Sequence, residues 1–263
     1  MTDDAPTPTT DNAVQQETIP AATLVLFRDR DDAPPELLMV ERARAMVFAG
    51  GALVFPGGRI DPEDYAMAAI HLSDDPHGPA RIAAIRETIE EAGIAVGLAP
   101  MPDEAQLAAI RNGLHAGEPF GALLATHGLA LDPAALVPFA RWLPAHANMR
   151  IFDTIFFLAA LPAYAPEPIV DATENTRVFW MSAQGVIDEA NAGRATIIFP
   201  TRRNLERLAQ FSSFADACAH ARAFPVTTVT PWVETRGAET FLCIPEDIGY
   251  PVTTEPMAGA MRG

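Results

Sequence analysis

The chain has 263 residues, of which 49% are hydrophobic and 20% charged, a balance that builds a substantial core and excludes an intrinsically disordered chain. Its formal net charge is −16 and it contains no basic run, which excludes a nucleic-acid partner held through phosphate contacts. The longest apolar run, Ile155 to Leu161, is far short of the roughly eighteen residues that a bilayer-spanning helix needs, so no membrane partner is expected.

Taken in chain order, residues 1–18 are polar, acidic and rich in Thr and Pro, without the basic and apolar regions of a secretory signal. They read as a disordered tail, and the expected location is cytoplasmic. Ala21 to Phe27 is a short apolar run that reads as a first strand. The charged stretch Arg28 to Pro35 separates it from a second strand at Glu36 to Glu41, so the two are expected to form a hairpin. Ala52 to Phe55 reads as a short strand stopped by Pro56-Gly57-Gly58. Tyr65 to Ile70 suggests a helical turn, and Ser73 to Pro79 is turn-rich.

From Ala80 to Ala92 the apolar residues Ile82, Ile85 and Ile89 recur at three and four, which predicts an amphipathic helix with Gly93 as its stop. Strands are expected at Ile94 to Leu98, Leu136 to Leu143 and Ile151 to Leu161, the last as the central one. Helices are expected at Asp103 to His115 and Pro119 to His127. Arg177 to Met181 reads as a further strand, followed by helical segments at Ser182 to Ala192, Thr201 to Phe211 and Phe214 to Ala223. Val226 to Glu234 and Thr240 to Ile244 close the chain as strands, and residues 251–263 read as a C-terminal tail. Strands and helices mix without strict alternation, so the expected fold class is α/β (α+β), a mixed β-sheet sandwiched between helices. Cys218 and Cys243 lack metal-type spacing and read as two buried thiols. Phe152, Phe156, Phe157, Trp142, Trp180 and Trp232 fall in apolar runs and are expected in the core.

The informative stretch is Arg86-Glu87-Thr88-Ile89-Glu90-Glu91-Ala92-Gly93-Ile94. On a helix, Glu87 lies three and four residues before Glu90 and Glu91, so the three carboxylates share one face. Crowding like charges costs energy that a divalent cation relieves, and hard oxygen ligands suit Mg²⁺ or Mn²⁺. Arg86 can pair with one of these carboxylates and hold its rotamer. The three acids alone would better describe a solvated helix face. What tips the reading is their context: Gly93 ends the helix just beyond them, and Gly57 is followed by five residues and then Glu63.

Gly57, Glu63, Arg86, Glu87, Glu90, Glu91, Gly93 and Ile94 stand in the order of the Nudix signature, and the chain resembles the Nudix hydrolases. Thr88 departs from the bulky apolar residue at its place. Twenty-two residues separate Glu63 from Arg86, where the signature has seven. An insertion at this point is similar to the branch that includes the peroxisomal coenzyme A diphosphatase Nudix-19. Residues 42–61, 150–162 and the segment from Glu174 to Trp180 resemble that branch too. The resemblance implies a single Nudix domain over residues 19–250, with a helical insertion around 100–130.

It further implies a metal-dependent hydrolase that cuts a diphosphate linkage in a small-molecule nucleoside diphosphate derivative such as coenzyme A or acyl-coenzyme A. The alternatives are another dinucleotide or nucleotide sugar as substrate, or a non-catalytic nucleotide-sensing module. Carried over residue by residue, Glu90 and Glu91 would be metal ligands, Glu87 a ligand or base, and Arg86 its orienting partner. The Gly57 carbonyl would join the metal, and Glu63 would sit nearby. Arg42, Arg44 and Arg59 flank the motif and are candidates for phosphate contacts, with surface solvation the alternative for each. Glu174, in a polar loop, is a candidate catalytic or metal residue from outside the helix. His71 and His77 read as surface residues. The apolar C-terminal strands suggest pairing in a homodimer.

Overall fold

The computed structural model describes residues 18–46, 49–144, 151–171 and 173–257. Residues 1–17 of the expected N-terminal tail and 258–263 of the C-terminal one lie outside them. The chain begins with β1 (Thr18–Arg28), β2 (Glu36–Arg42), β3 (Leu53–Val54) and β4 (Gly57–Arg59), then α1 (Pro62–His71) and α2 (Gly78–Ala92). β5 (Leu98–Ala99), α3 (Glu104–His115), α4 (Phe120–Thr126) and β6 (Ala130–Leu131) follow. Next come β7 (Val137–Trp142), β8 (Ile151–Ala160), β9 (Asn175–Ser182) and helices α5 (Ala183–Asn191), α6 (Phe199–Leu208) and α7 (Phe214–Ala223). The last strands are β10 (Thr228–Val229), β11 (Trp232–Arg236), β12 (Glu239–Cys243) and β13 (Thr254–Pro256).

The main sheet runs β10-β7-β8-β1-β2-β3, with β4 also paired to β1 and β9 to β2. It is mixed: β1 lies parallel to β8 and antiparallel to β2 and β4. β1 and β8 are apolar almost throughout because both of their faces are covered. Ala22, Leu24, Leu26, Phe157 and Ala159 pack with α2, α3 and α4, whereas Val25, Phe27, Phe156 and Leu158 pack with α5, α6 and α7. The expected layered fold, a mixed sheet between helices, is therefore what forms. Among the described residues no helix is long and apolar enough to cross a membrane.

α2 is the element that matters most. Its Ile82, Ile85 and Ile89 are fully buried, and each contributes about 2 kcal/mol by leaving water. Gly93 terminates it in the left-handed conformation at φ 66°, its N–H donating to the Ile89 carbonyl, a backbone state that a side chain would strain. Thr88, the departure from the motif, is buried and satisfies its hydroxyl by donating to the Ala84 carbonyl at 2.7 Å.

Several expectations are corrected. The strand expected at Ile94 to Leu98 does not form; only Leu98–Ala99 pairs, with Ala130–Leu131. Ile94, Ala95 and Val96 are apolar because they fill the core beneath α2, not because they lie in a sheet. Pro56-Gly57-Gly58 does not end the pairing, since Gly57 and Gly58 run beside Thr23 and Ala22. A β-carbon on Gly57 would lie 2.4 Å from the Ala22 carbonyl oxygen, so only glycine permits that approach. The helical turn at Tyr65 to Ile70 is a full helix, α1. Thr254–Pro256, within the expected C-terminal tail, pairs with β12. Trp232 is 46% exposed rather than in the core, while Trp142 is buried with its indole N–H donating to the Tyr250 hydroxyl at 2.9 Å. Cys218 and Cys243 are buried free thiols, as expected.

Candidate active site

The second half of α2, the Gly57-Gly58 strand, the end of β2 and the loop entering β9 meet at one place. Arg86, 8% exposed, is its hub. Its guanidinium donates to both carboxylate oxygens of Asp64, at 3.2 and 2.9 Å, to Glu87 at 2.8 Å and to the Arg59 carbonyl at 3.0 Å. Glu90 and Asp61 lie 3.7 and 3.6 Å from it. Burial opposes the charge on Arg86, but Asp64 and Glu87 outweigh it and push its pKa up.

Asp64 was not among the expected site residues. Glu63 instead points away, its carboxylate accepting from the Gly121 N–H of α4 at 3.1 Å. The correction has a simple origin: Asp64 stands as far after Gly58 as Glu63 does after Gly57, and it is Asp64, not Glu63, that the structure places on Arg86. Asp64 is fully buried and also accepts from the Asp61 N–H at 2.9 Å, so it caps α1 while it holds Arg86.

Glu87, Glu90 and Glu91 do stand close together on α2, yet their carboxylates are differently engaged. Glu91, 4% exposed, accepts from the Gly57 N–H at 2.9 Å and from the Asn175 side-chain amide at 3.0 Å. Gly57 thus reaches the site through its N–H. Glu87 lies against Gly58, where a β-carbon would fall 2.4 Å from its carboxylate. Glu90 is half-exposed. Among the described residues no three His, Cys, Asp or Glu side chains converge as a ready-made metal site.

The chemistry of the donor set nevertheless fits a divalent cation. Burial, with Glu91 and Glu90 as like-charged neighbours, raises the Glu87 carboxyl to about 8. Burial, with Glu174 nearby, raises Glu91 to about 7 against the Asn175 and Gly57 hydrogen bonds. Glu90 is raised as well, by burial first and by Asp171 and Glu174 after it. Arg86 and the hydrogen bonds offset only part of this crowding, so the ionised forms remain disfavoured. The buried Asn175 Oδ1 has no hydrogen-bond partner.

Glu174 sits on the rim, its side chain 56% exposed and 3.6 Å from Arg42. Its loop is shaped by Asp171, which accepts from the Thr173 N–H and hydroxyl and from the Glu174 N–H. The loop is fastened to the end of α2 by Ile169 and Asp171, whose N–H groups donate to the Ala92 and Glu91 carbonyls. α3 braces the same end. Arg111 donates to the Glu90 and Ile169 carbonyls at 3.0 and 2.7 Å, and His115 lies 3.2 Å from the Glu90 carbonyl. Sequence spacing gave no sign of Asp171, Asn175, Arg111 or His115, because each meets α2 across a long stretch of chain.

The three candidate phosphate arginines part company. Arg42 faces the site, with a buried Nε that has no partner. Arg59 is exposed beside it, with its carbonyl on Arg86. Arg44 lines a separate cleft of about 300 Å³ with Glu41, Arg177, Phe179, Arg194 and Thr196, on the face of the sheet turned toward α5 and α6. His71 is exposed, as expected of a surface residue, whereas the half-buried His77 ring packs edge-on against Phe157.

No protein-family model matches the chain. A curated Caenorhabditis elegans protein named "Putative nudix hydrolase 7" is 29% identical over 192 residues, covering 69% of this chain and 58% of the relative. The chain thus spans less than two thirds of that relative's length. A solved structure of a NUDIX hydrolase from Alicyclobacillus acidocaldarius superposes with a TM-score of 0.65 at 28% identity, covering 78% of this chain and 97% of the other. The chain is thus similar to Nudix hydrolases in sequence and in fold.

Proposed function

We propose that the protein hydrolyses a diphosphate linkage in a nucleoside diphosphate derivative, using Mg²⁺ or Mn²⁺. The carrying observation is geometric: Glu87, Glu90 and Glu91 stand together at the end of α2, Arg86 contacts the first two at 2.8 and 3.7 Å, and burial still raises all three carboxyls. Nudix hydrolases generally use divalent metal ions. In this reading Glu90 and Glu91 hold the cation, with Glu87 as a further ligand or a base and the Gly57 carbonyl as a neutral oxygen. A bound cation would neutralise charge developing on the diphosphate oxygens and activate water toward phosphorus.

The chain's own residues supply the rest. Arg86 fixes Glu87 and Glu90 by contacts at 2.8 and 3.7 Å. Arg42 and Arg59 offer guanidinium groups to the phosphates, and Arg44 would serve only a substrate that reaches the neighbouring cleft. Glu174 is the proposed proton acceptor from outside the helix, steadied by Arg42 and by the Asp171-centred loop. Coenzyme A or acyl-coenzyme A is the proposed substrate. Its support is the resemblance of residues 42–61, 150–162 and 174–180 to coenzyme A diphosphatases.

A mass-spectrometric panel of coenzyme A, dinucleotides and nucleotide sugars with Mg²⁺ or Mn²⁺ tests the reading. Cleavage at the diphosphate is expected, with coenzyme A yielding a phosphopantetheine product and adenosine 3′,5′-bisphosphate. Glu91→Gln should lower turnover by about 10²-fold or more while circular dichroism stays unchanged. Intact coenzyme A beside cleavage of another compound would replace the substrate. No cleavage of any compound would leave a nucleotide-sensing module as the better description.

A further inference from the structure

We infer that Asn175 is a positioning residue for Glu91 and thereby sets the affinity of the site for a divalent cation, an inference that rests on the function proposed above. Asn175 opens β9, 84 positions from Glu91, and is 2% exposed. Its backbone is pinned on two sides, by the pairing with Arg42 and by its N–H donating to the Asp171 carbonyl at 3.1 Å. The side chain therefore has little freedom, and its Nδ2 donates to Glu91 Oε1 at 3.0 Å. The other carboxylate oxygen of Glu91 accepts from the Gly57 N–H. These two donors, one from each side, fix the carboxylate plane.

An amide that donates to both its neighbours would be ordinary core satisfaction. Here one end of the amide is used and the other is not: Oδ1 is buried with no hydrogen-bond partner. Leaving a buried acceptor unpaired is costly, and reversing the amide would set its oxygen against the Glu91 carboxylate. The orientation seen is the one that serves Glu91 in its ionised, acceptor-only form, the form a cation requires. Partners of this kind, one step behind a metal ligand, typically change metal affinity about 10- to 100-fold when lost.

The test compares wild type with Asn175→Leu and Asn175→Ala. Leucine keeps the number and branching of the side-chain heavy atoms and removes both the donor and the orphaned oxygen, while alanine removes them without adding bulk. Mn²⁺ binding is read by electron paramagnetic resonance titration, and thermal midpoints are read in chelator and at one fixed, sub-saturating Mn²⁺ concentration. Both variants should bind Mn²⁺ at least about tenfold more weakly, with a smaller Mn²⁺-induced rise in midpoint at a fixed sub-saturating concentration. Hydrolysis should recover when Mn²⁺ is raised. A purely structural role would lower the midpoint equally with and without Mn²⁺ and leave the affinity within twofold of wild type, which overturns the inference. If wild type itself took up no Mn²⁺, the proposed function would fall first, and the inference with it.

Discussion

At the scale of single residues, one carboxylate next to another separates a structural role from a decorative one. Asp64 and Glu63 are neighbours on α1, yet Asp64 is fully buried on Arg86 and Glu63 meets only a backbone N–H at the rim of α4. Breaking a buried ion pair strands its partner, so Asp64→Asn should cost about 3 kcal/mol and loosen the Glu87 contact of Arg86. Glu63→Gln should stay within about 0.5 kcal/mol of wild type, because glutamine still accepts from Gly121. Chemical denaturation of both variants checks this, and equal losses would mean that Arg86 does not depend on Asp64. The same pair shows what spacing can tell. Arg86, Glu87, Glu90 and Glu91 were legible because one helical turn relates them. Gly57–Glu63 and Gly58–Asp64 obey the same interval, and the interval alone does not tell which acid turns inward to Arg86. Asn175 left no trace, since nothing local marks a contact made between the start of β9 and the end of α2.

Elements carry the next level of the argument. α2 ends in carbonyls that no intrahelical bond satisfies, and the protein answers with parts of two other elements: the loop before β9 and the helix α3. Arg111 joins all three by donating to the Glu90 and Ile169 carbonyls. Arg111→Met keeps much of the stem and removes both bonds, so it should cost about 1 to 2 kcal/mol, held down by partial exposure. The loop, which has fewer contacts of its own, should loosen before the helix does. Hydrogen exchange resolves this: faster exchange at residues 169–175 with little change in the middle of α2 is the expected pattern. Uniform acceleration across α2 would show that Arg111 holds the helix rather than the loop. The helices at 104–115 and 120–126 were expected, within a residue at each end. Their task as a brace was not, because it lies in which carbonyls they reach.

For the molecule as a whole, the sheet order follows from burial. β1 and β8 are apolar on both faces and take the middle, where the run at 151–161 was expected, while the misread run at 94–98 shows that apolar character marks the core without specifying a strand. The same whole-molecule balance governs charge. With a net −16, the fold still holds Glu87 and Glu91 in a buried, like-charged site, where their carboxyls rise to about 8 and about 7 from an ordinary 4.5. In the metal-free protein the folded state therefore keeps protons that the unfolded chain has already released across that interval. Stability must then fall as pH rises from the ordinary carboxylate value toward the raised ones. A divalent cation competes with those protons, so its stabilising effect must grow over the same range. Calorimetry at about pH 5 and about pH 8 should show a lower midpoint at the higher pH in chelator, and a Mg²⁺-induced rise that is larger at the higher pH. Glu91→Gln should shrink both differences, because it removes one titrating ligand from the pair. A Mg²⁺ effect of equal size at both pH values would mean that the cation binds somewhere other than at these carboxylates.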